Sequence, residues 1–268
     1  MKVILSRKGF DSQYGGYPSP ILPDGRMVSL PIPSNKDNFH YSDLKFENKT
    51  YYDLMKELGI KEIILKKSCH IDPDIYLNII KRESNWMPLF GQRGAAQGHL
   101  HNQKISEDDL FLFFGTFRKT IIKNGKLEFD SQDKEKHMIF GYLQIGKIIR
   151  TEEDLEEWMK YHPHCNYEEK WSKKNTLYAA RKNLSWNSNL PGAGIFKYNK
   201  NLVLTAEGHL KSIWDIPILK GKKISYHTQN SWQNGLLKTV GRGQEFVIEE
   251  DKEVEVWAKE LIEESDLI

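Results

Sequence analysis

Cysteine is nearly absent from this chain. Cys69 and Cys165 are too few for a disulfide framework, and their separation is far from the paired spacing of a zinc ribbon. An excess of one charge is absent too, because 39 Lys and Arg stand against 37 Asp and Glu, a formal net charge of +2. That balance excludes the global basic field behind non-specific nucleic-acid binding but leaves room for a local basic patch. The apolar runs at 110–114 and 138–149 fall short of the roughly 18 residues that a membrane-spanning helix needs. The opening MKVILSRKGF turns polar too soon for a secretory signal, so a cytoplasmic protein with no membrane partner is the expectation. No internal repeat or low-complexity tract interrupts the chain. Few helix-then-strand alternations have βαβ length, which argues against a Rossmann domain.

What is present is a strand-rich chain of 268 residues, long enough to bury a substantial core. The two apolar runs, rich in Phe, Leu and Ile, read as strands. Between them, Asn124-Gly125 is a turn signal for a hairpin excursion. Just upstream lies Gly91-Gln92-Arg93-Gly94-Ala95-Ala96-Gln97-Gly98-His99, where small residues alternate with directional hydrogen-bonding groups. Together these suggest a β-barrel wall with a polar mouth.

Val3–Leu5 reads as a buried strand that delivers Arg7, Lys8 and Asp11 to its end. A surface ion pair and a capped turn would explain the same residues. Met27–Ile32, Glu62–Leu65, Leu177–Ala180, Leu202–Thr205, Ile224–His227 and Glu245–Ile248 are further candidate strands. Helices are expected at Tyr51–Leu58, ended by Gly59, at Glu152–Tyr161 behind a Thr151/Asp154 capping box, and at Val254–Ile262. His70 and Asp72, two apart, can face one side of an extended segment as metal ligands. Asp72-Pro73 also fits a helix start, with Asp72 as the cap, and that reading is preferred. His162-Pro163-His164 is a rigid pair of imidazoles but, with Cys165, lacks a fourth zinc ligand. No metal or cofactor is therefore assigned. Pro191-Gly192-Ala193-Gly194 reads as a tight turn able to bring amides near an anion.

Several of these segments, in this order, resemble the nucleotide modification associated domain 3 family. The shared stretches are LSRKGFDSQYGGYPSPILPDGRMVSLPIP at 5–33, IDPD at 71–74, FGQRGAAQGHL at 90–100, DLFLFFGTFR at 109–118, HMIFGYLQIGKI at 137–148, HPH at 162–164, PGAGIF at 191–196 and GRGQEFVI at 241–248. The chain departs from the family pattern at Asp108, where glycine is common, and at Thr116, where an aromatic follows the glycine. The resemblance implies a single domain over 1–268 in a system that alters DNA bases, without naming a catalytic residue. More distantly, 86–150 is similar to PUA-like domains of the EVE and ASCH type, small barrels whose mouth holds a nucleobase. The expected fold class is thus α+β, mostly β, a PUA-like barrel core with peripheral helices.

Three functions fit. A module reading a modified base would stack it on an aromatic and bond its edge through Gln92, Arg93, Gln97 and His99. An enzyme cleaving a glycosidic bond or transferring a group would use Asp11 or Glu245 as base and His99, His162 or His164 as acid. Arg7, Lys8, Arg118, Arg242 and Gln244 would then help hold a nucleotide, nucleobase or modified nucleic acid. In a structural or partner-binding protein, the same residues would serve turns and caps.

Overall fold

A computed structural model describes residues 1–165, 171–172, 174–241 and 244–268. Its centre is a nine-stranded sheet: β1 (Val3–Arg7), β2 (Ser19–Ile21), β3 (Leu89–Arg93), β4 (Leu110–Lys123), β5 (Lys126–Phe129), β6 (Lys136–Ile149), β7 (Asn175–Ala180), β8 (Ala193–Ile195) and β9 (Glu245–Ile248). The main path runs β9-β1-β4-β6-β7-β3; β2 and β5 extend β4, and β8 pairs with β6. β1 and β2 run parallel to β4, and the other pairings are antiparallel. Asn124 (φ 51°) and Gly125 (φ 76°) make the two-residue turn from β4 into β5. Both left-handed residues match the strand twist, as the sequence foretells.

Leu110 to Phe114 are all 0% exposed, without the alternation of a half-solvated strand. Both faces of β4 are therefore covered. Phe90, Phe111, Phe113 and Tyr178 form one ring cluster, with Phe90 and Phe111 centred 4.8 Å apart. α4 (Lys252–Glu263), capped by Asp251, lays Val254, Ala258, Leu261 and Ile262 on this core. A second core gathers Phe10, Leu30, Tyr41 and Cys69 around α1 (Tyr51–Glu57), which Thr50 caps and Gly59 (φ 72°) ends. A third joins Leu89, Ile149, Trp158, Met159 and Leu177.

The expected barrel does not close among the described residues. The path ends at two edge strands, β3 and β9. They approach closely enough for Gln92 of β3 to donate to Glu245 of β9 (2.7 Å), but a side chain bridges them, not a backbone ladder. The α+β, mostly-sheet character stands.

Other local expectations change where tertiary contacts outweigh pattern. Glu62–Leu65 is a short helix, α2, with Ile63 70% exposed instead of buried in a sheet. Glu152–Tyr161 forms two 3-10 turns, because the Thr151 hydroxyl donates to Asp154 and leaves the backbone uncapped, and Leu155 is extended. Of Met27–Ile32 only Ile32 enters a strand, Ile32–Ser34, which pairs with Ser68–His70. Leu202–Thr205 and Ile224–His227 make isolated bridges at Val203, Thr205 and Ile224. The Gly192 amide donates to the Lys182 carbonyl and 193–195 pair with β6, so this turn offers no anion nest. Asp108 has φ 70°, the left-handed backbone that glycine adopts most readily.

His137 of β6 is 6% exposed and accepts a bond from the Trp214 indole (3.1 Å). Burial, with Arg7 and Lys211 adding to it, lowers its pKa to about 3. Its folded pKa lies below the unfolded value of about 6.5, so its contribution is complete above pH 6.5 and is lost as pH falls toward 3. The slope reaches at most about 1.4 kcal/mol per pH unit. Urea midpoints at pH 7, 5.5 and 4 should therefore fall less steeply in His137→Phe than in the parent chain; equal slopes would contradict the assignment.

Candidate functional site

The gap between the two sheet edges opens into a polar cleft of about 460 Å³, within the range of small-ligand sites. A larger groove of about 1150 Å³ lies beside Phe46, Tyr76 and Trp86, but its lining is mainly apolar. The smaller one is lined by two histidines and three aspartates, residue types that the larger does not have in its lining. Seven residues assigned from sequence to catalysis or substrate binding line it: Arg7, Lys8, Asp11, Gln92, Arg93, His164 and Gln244. His70, Asp72, Asp37 and Tyr14 join them.

Lys8 organises the floor. β1 carries it past Gly115 of β4, where a Cβ would meet the Lys8 carbonyl oxygen at 2.7 Å. Its side chain, 7% exposed, lies over the Phe90 ring (4.3 Å). The ammonium donates to Glu245 Oε1 (3.1 Å) and stands 4.0 Å from Asp72 Oδ2. Glu245 is 1% exposed; its Oε1 also accepts from Gln92, while its Oε2 is buried without a hydrogen-bond partner among the described residues. Gln92 accepts from the Arg93 amide and reaches Gln244 Oε1 at 3.4 Å. Arg7 donates to the carbonyls of Val240 and Gly241, tying β1 to the segment before β9. Burial lowers its pKa, against the pull of Asp11. Asp11 accepts from the amides of Gln13 and Tyr14, so it holds a turn at the rim.

Asp72 does not cap a helix. It is joined to Pro73 by a cis peptide bond, no helix follows, and its carboxylate faces inward. Oδ1 accepts from the Gly91 amide (2.7 Å) and lies 3.5 Å from His162 Nε2. Burial alone would raise its pKa, but His162, Lys8 and His164 together bring it well below the usual carboxylate range. His162 is 0% exposed and underlies the cleft without lining it. The His164 amide donates to His162 Nδ1 (3.3 Å), which places the ring proton on Nε2, toward Asp72.

The tautomers of the other two imidazoles follow from their partners. His70 Nδ1 meets Asp37 Oδ2 (3.0 Å), an obligate acceptor, so Nδ1 carries the proton. Asn175 Nδ2 donates to the His164 carbonyl (2.8 Å), which turns Oδ1 toward His164 Nδ1 (3.0 Å) and makes that nitrogen the donor. In both rings Nδ1 is the nitrogen engaged by a side-chain oxygen. Burial lowers the His164 pKa to about 3, opposed by Asp72. His70, Asp72 and His164 each offer a ligand atom within 4.8 Å of the others, so among the described residues this group could hold a metal.

Other sequence candidates fall elsewhere. Gln97, on α3 (Gly94–Asn102), accepts from the Tyr178 hydroxyl (2.9 Å). His99, two residues on, bonds Ser225 (3.0 Å) and packs on Tyr226, and burial lowers its pKa against the opposing effect of Glu245. Arg118 donates to the Asp130 carbonyl and braces the start of the β5–β6 loop. None of the three lines the cleft. Arg242 lies outside the described residues. The alternation of His70 with Asp72 raises the two as metal ligands from sequence, where the helix cap is preferred; nothing in the sequence marks Asp37 or Asn175.

The glycines of 91–98 do different work. A Cβ on Gly91 would meet the His164 ring at 2.3 Å and His162 at 3.0 Å, so this glycine makes room for the imidazoles. A Cβ on Gly98, within α3, meets nothing within 4 Å. Gly91→Ala should destabilise the protein by about 1–3 kcal/mol through overpacking. Gly98→Ala should stabilise it by about 0.5–1 kcal/mol through helix propensity. Chemical denaturation of both variants checks the opposite signs.

No curated protein and no solved structure matches this chain. Residues 2–249 do match the family model described as nucleotide modification associated domain 3. With that match spanning the sheet, both cleft walls and β9, the chain belongs to the nucleotide modification associated domain 3 family.

Proposed function

We propose that this protein binds a nucleotide or nucleobase, free or within a nucleic acid carrying a modified base, in the cleft between the sheet edges and acts on it chemically. The observation that carries this reading is the convergence of Arg7, Lys8, Asp11, Gln92, Arg93, His164 and Gln244 on one cleft of about 460 Å³. The family description supplies the nucleotide theme. Arg93, exposed at the rim, and Arg7 suit a phosphate; Gln92 and Gln244 suit the donors and acceptors of a base edge. Tyr14, 45% exposed and on the cleft wall, offers a ring for stacking.

A pocket that only reads a base needs few titratable groups. This one gathers Asp72, His164 and Asp11 at its surface with Glu245 directly behind, which favours chemistry, glycosidic cleavage or group transfer, over recognition alone. Asp11 or Glu245 would take a proton, and His164, in the absence of a bound ion, would accept one before returning it. A non-catalytic reader remains the second reading, favoured by the stacking position of Tyr14.

Titration with nucleoside monophosphates and with modified and unmodified oligonucleotides tests the proposal, with chromatography of the incubated ligand separating enzyme from reader. Tyr14→Ala removes a stacking contact of about 1–3 kcal/mol, and Arg93→Ala removes a charged hydrogen bond of about 1.5–3 kcal/mol. Each should weaken binding about tenfold or more. Arg181→Ala, at the remote Arg181–Asp108 surface pair, should leave affinity unchanged. If the three variants bind alike, the cleft is not the ligand site.

A further inference from the structure

The cleft wall holds a second kind of site. We propose that His70, Asp72 and His164 bind one divalent transition-metal ion, with coordination positions left open toward the cleft. Their ligand atoms lie within 4.8 Å of one another. Tetrahedral ligands at about 2.1 Å from a zinc-like ion sit roughly 3.4 Å apart, so side-chain adjustment of about 1.5 Å or less closes the set. Two imidazoles and one carboxylate are a donor set for zinc, iron(II) or manganese, not for calcium or magnesium, which take oxygen.

What separates this trio from an incidental cluster is that every member is held by a further side chain or backbone amide. Asp37 fixes His70 through Nδ1, and Asn175 fixes His164 through Nδ1, so the orientation of each ring is set by a side-chain partner. The Gly91 amide holds Asp72 Oδ1, with His162 Nε2–H at 3.5 Å, leaving Oδ2 with a 4.0 Å contact to Lys8 Nζ. Outer partners of this kind, carboxylate or carbonyl behind each histidine, are what metal sites use to set tautomer and direction. His162 adds an independent sign. It is 0% exposed, yet among the described residues its Nε2 finds no hydrogen bond of good geometry, and it lies 3.5 Å from the proposed ligand Asp72. All three ligands line the cleft, so a bound ion would face whatever enters it. The ion site stands on this geometry alone and does not depend on the nucleotide reading.

The test uses the full chain, stripped with a chelator and titrated with Co²⁺ alone, followed by calorimetry and visible absorption, with Zn²⁺ as competitor. One ion per chain, ligand-field bands in the visible, and a rise in melting temperature on loading are expected. His70→Ala and Asp72→Asn should abolish the bands, and Asp37→Asn should weaken binding about 10–100-fold. The double variant His101→Ala/His209→Ala removes two exposed histidines and should bind as the parent does. Circular dichroism checks that each variant is folded; if Asp72→Asn is not, half-buried His70 decides the matter through His70→Ala. Absence of a one-to-one complex, or the same complex in folded His70→Ala, would overturn the proposal. Because no nucleotide is added, a chain that takes the ion but no nucleotide overturns only the functional reading, and the converse result overturns only the ion.

Discussion

The structure depends on a buried lysine at the place where its sheet fails to close. Lys8 leaves β1 over the Phe90 ring and donates to Glu245, with Asp72 4.0 Å away. Desolvating an ammonium costs several kcal/mol per ion, which excellent geometry and further hydrogen bonds must offset. Here they come from three parts of the chain: Glu245 from β9, Gln92 from β3, and Asp72 from the segment before β3. With that polar contact between the edges, β3 and β9 meet through side chains and a cleft opens where a barrel would have had its seam.

The rest of the site follows from that seam. Glu245 and Gln92 form its floor, and Arg7 secures the segment ahead of β9. Asp72, drawn inward by Lys8 and the Gly91 amide, brings His70 to the wall. Opposite, the His162-Pro163-His164 turn leans against Gly91, where any side chain would collide with the rings. Apolar packing then holds the walls apart: the Phe90 cluster on the sheet side and the Tyr41 and Cys69 core beneath the 30s and 60s. Polar groups select the geometry, and the aromatic cores supply the net stability.

Comparison of particular segments shows where sequence reasoning succeeds. The Phe-rich run of β4, the Asn124-Gly125 turn and the amphipathic α4 each carry their signal within a few residues and form as expected. Glu62–Leu65 and Glu152–Tyr161 fail because short segments have weak local preference and are decided by neighbours. Among site residues, Arg7, Lys8, Gln92, Arg93 and Gln244 were legible as polar groups beside glycines at strand ends. Gln97, His99 and Arg118 share that chemistry but point to Tyr178, Ser225 and Asp130. A helix turns them away from the cleft or a strand carries them past it, and no composition rule distinguishes these outcomes.

The sequence by itself determined the balanced charge, the absence of a disulfide framework, the principal strands and the family, because these reside in composition and in motifs read along the chain. Tertiary structure alone decided that the sheet stays open and that Asp72 serves a cleft and not a helix end. It also set ligand atoms of His70, Asp72 and His164 within 4.8 Å of one another. The physical reason is separation: Lys8 and Glu245 are 237 residues apart, Gln92 and Glu245 are 153 apart. Contacts of that range are set by strand order and by which buried charges must be paired, information that no local window of sequence contains.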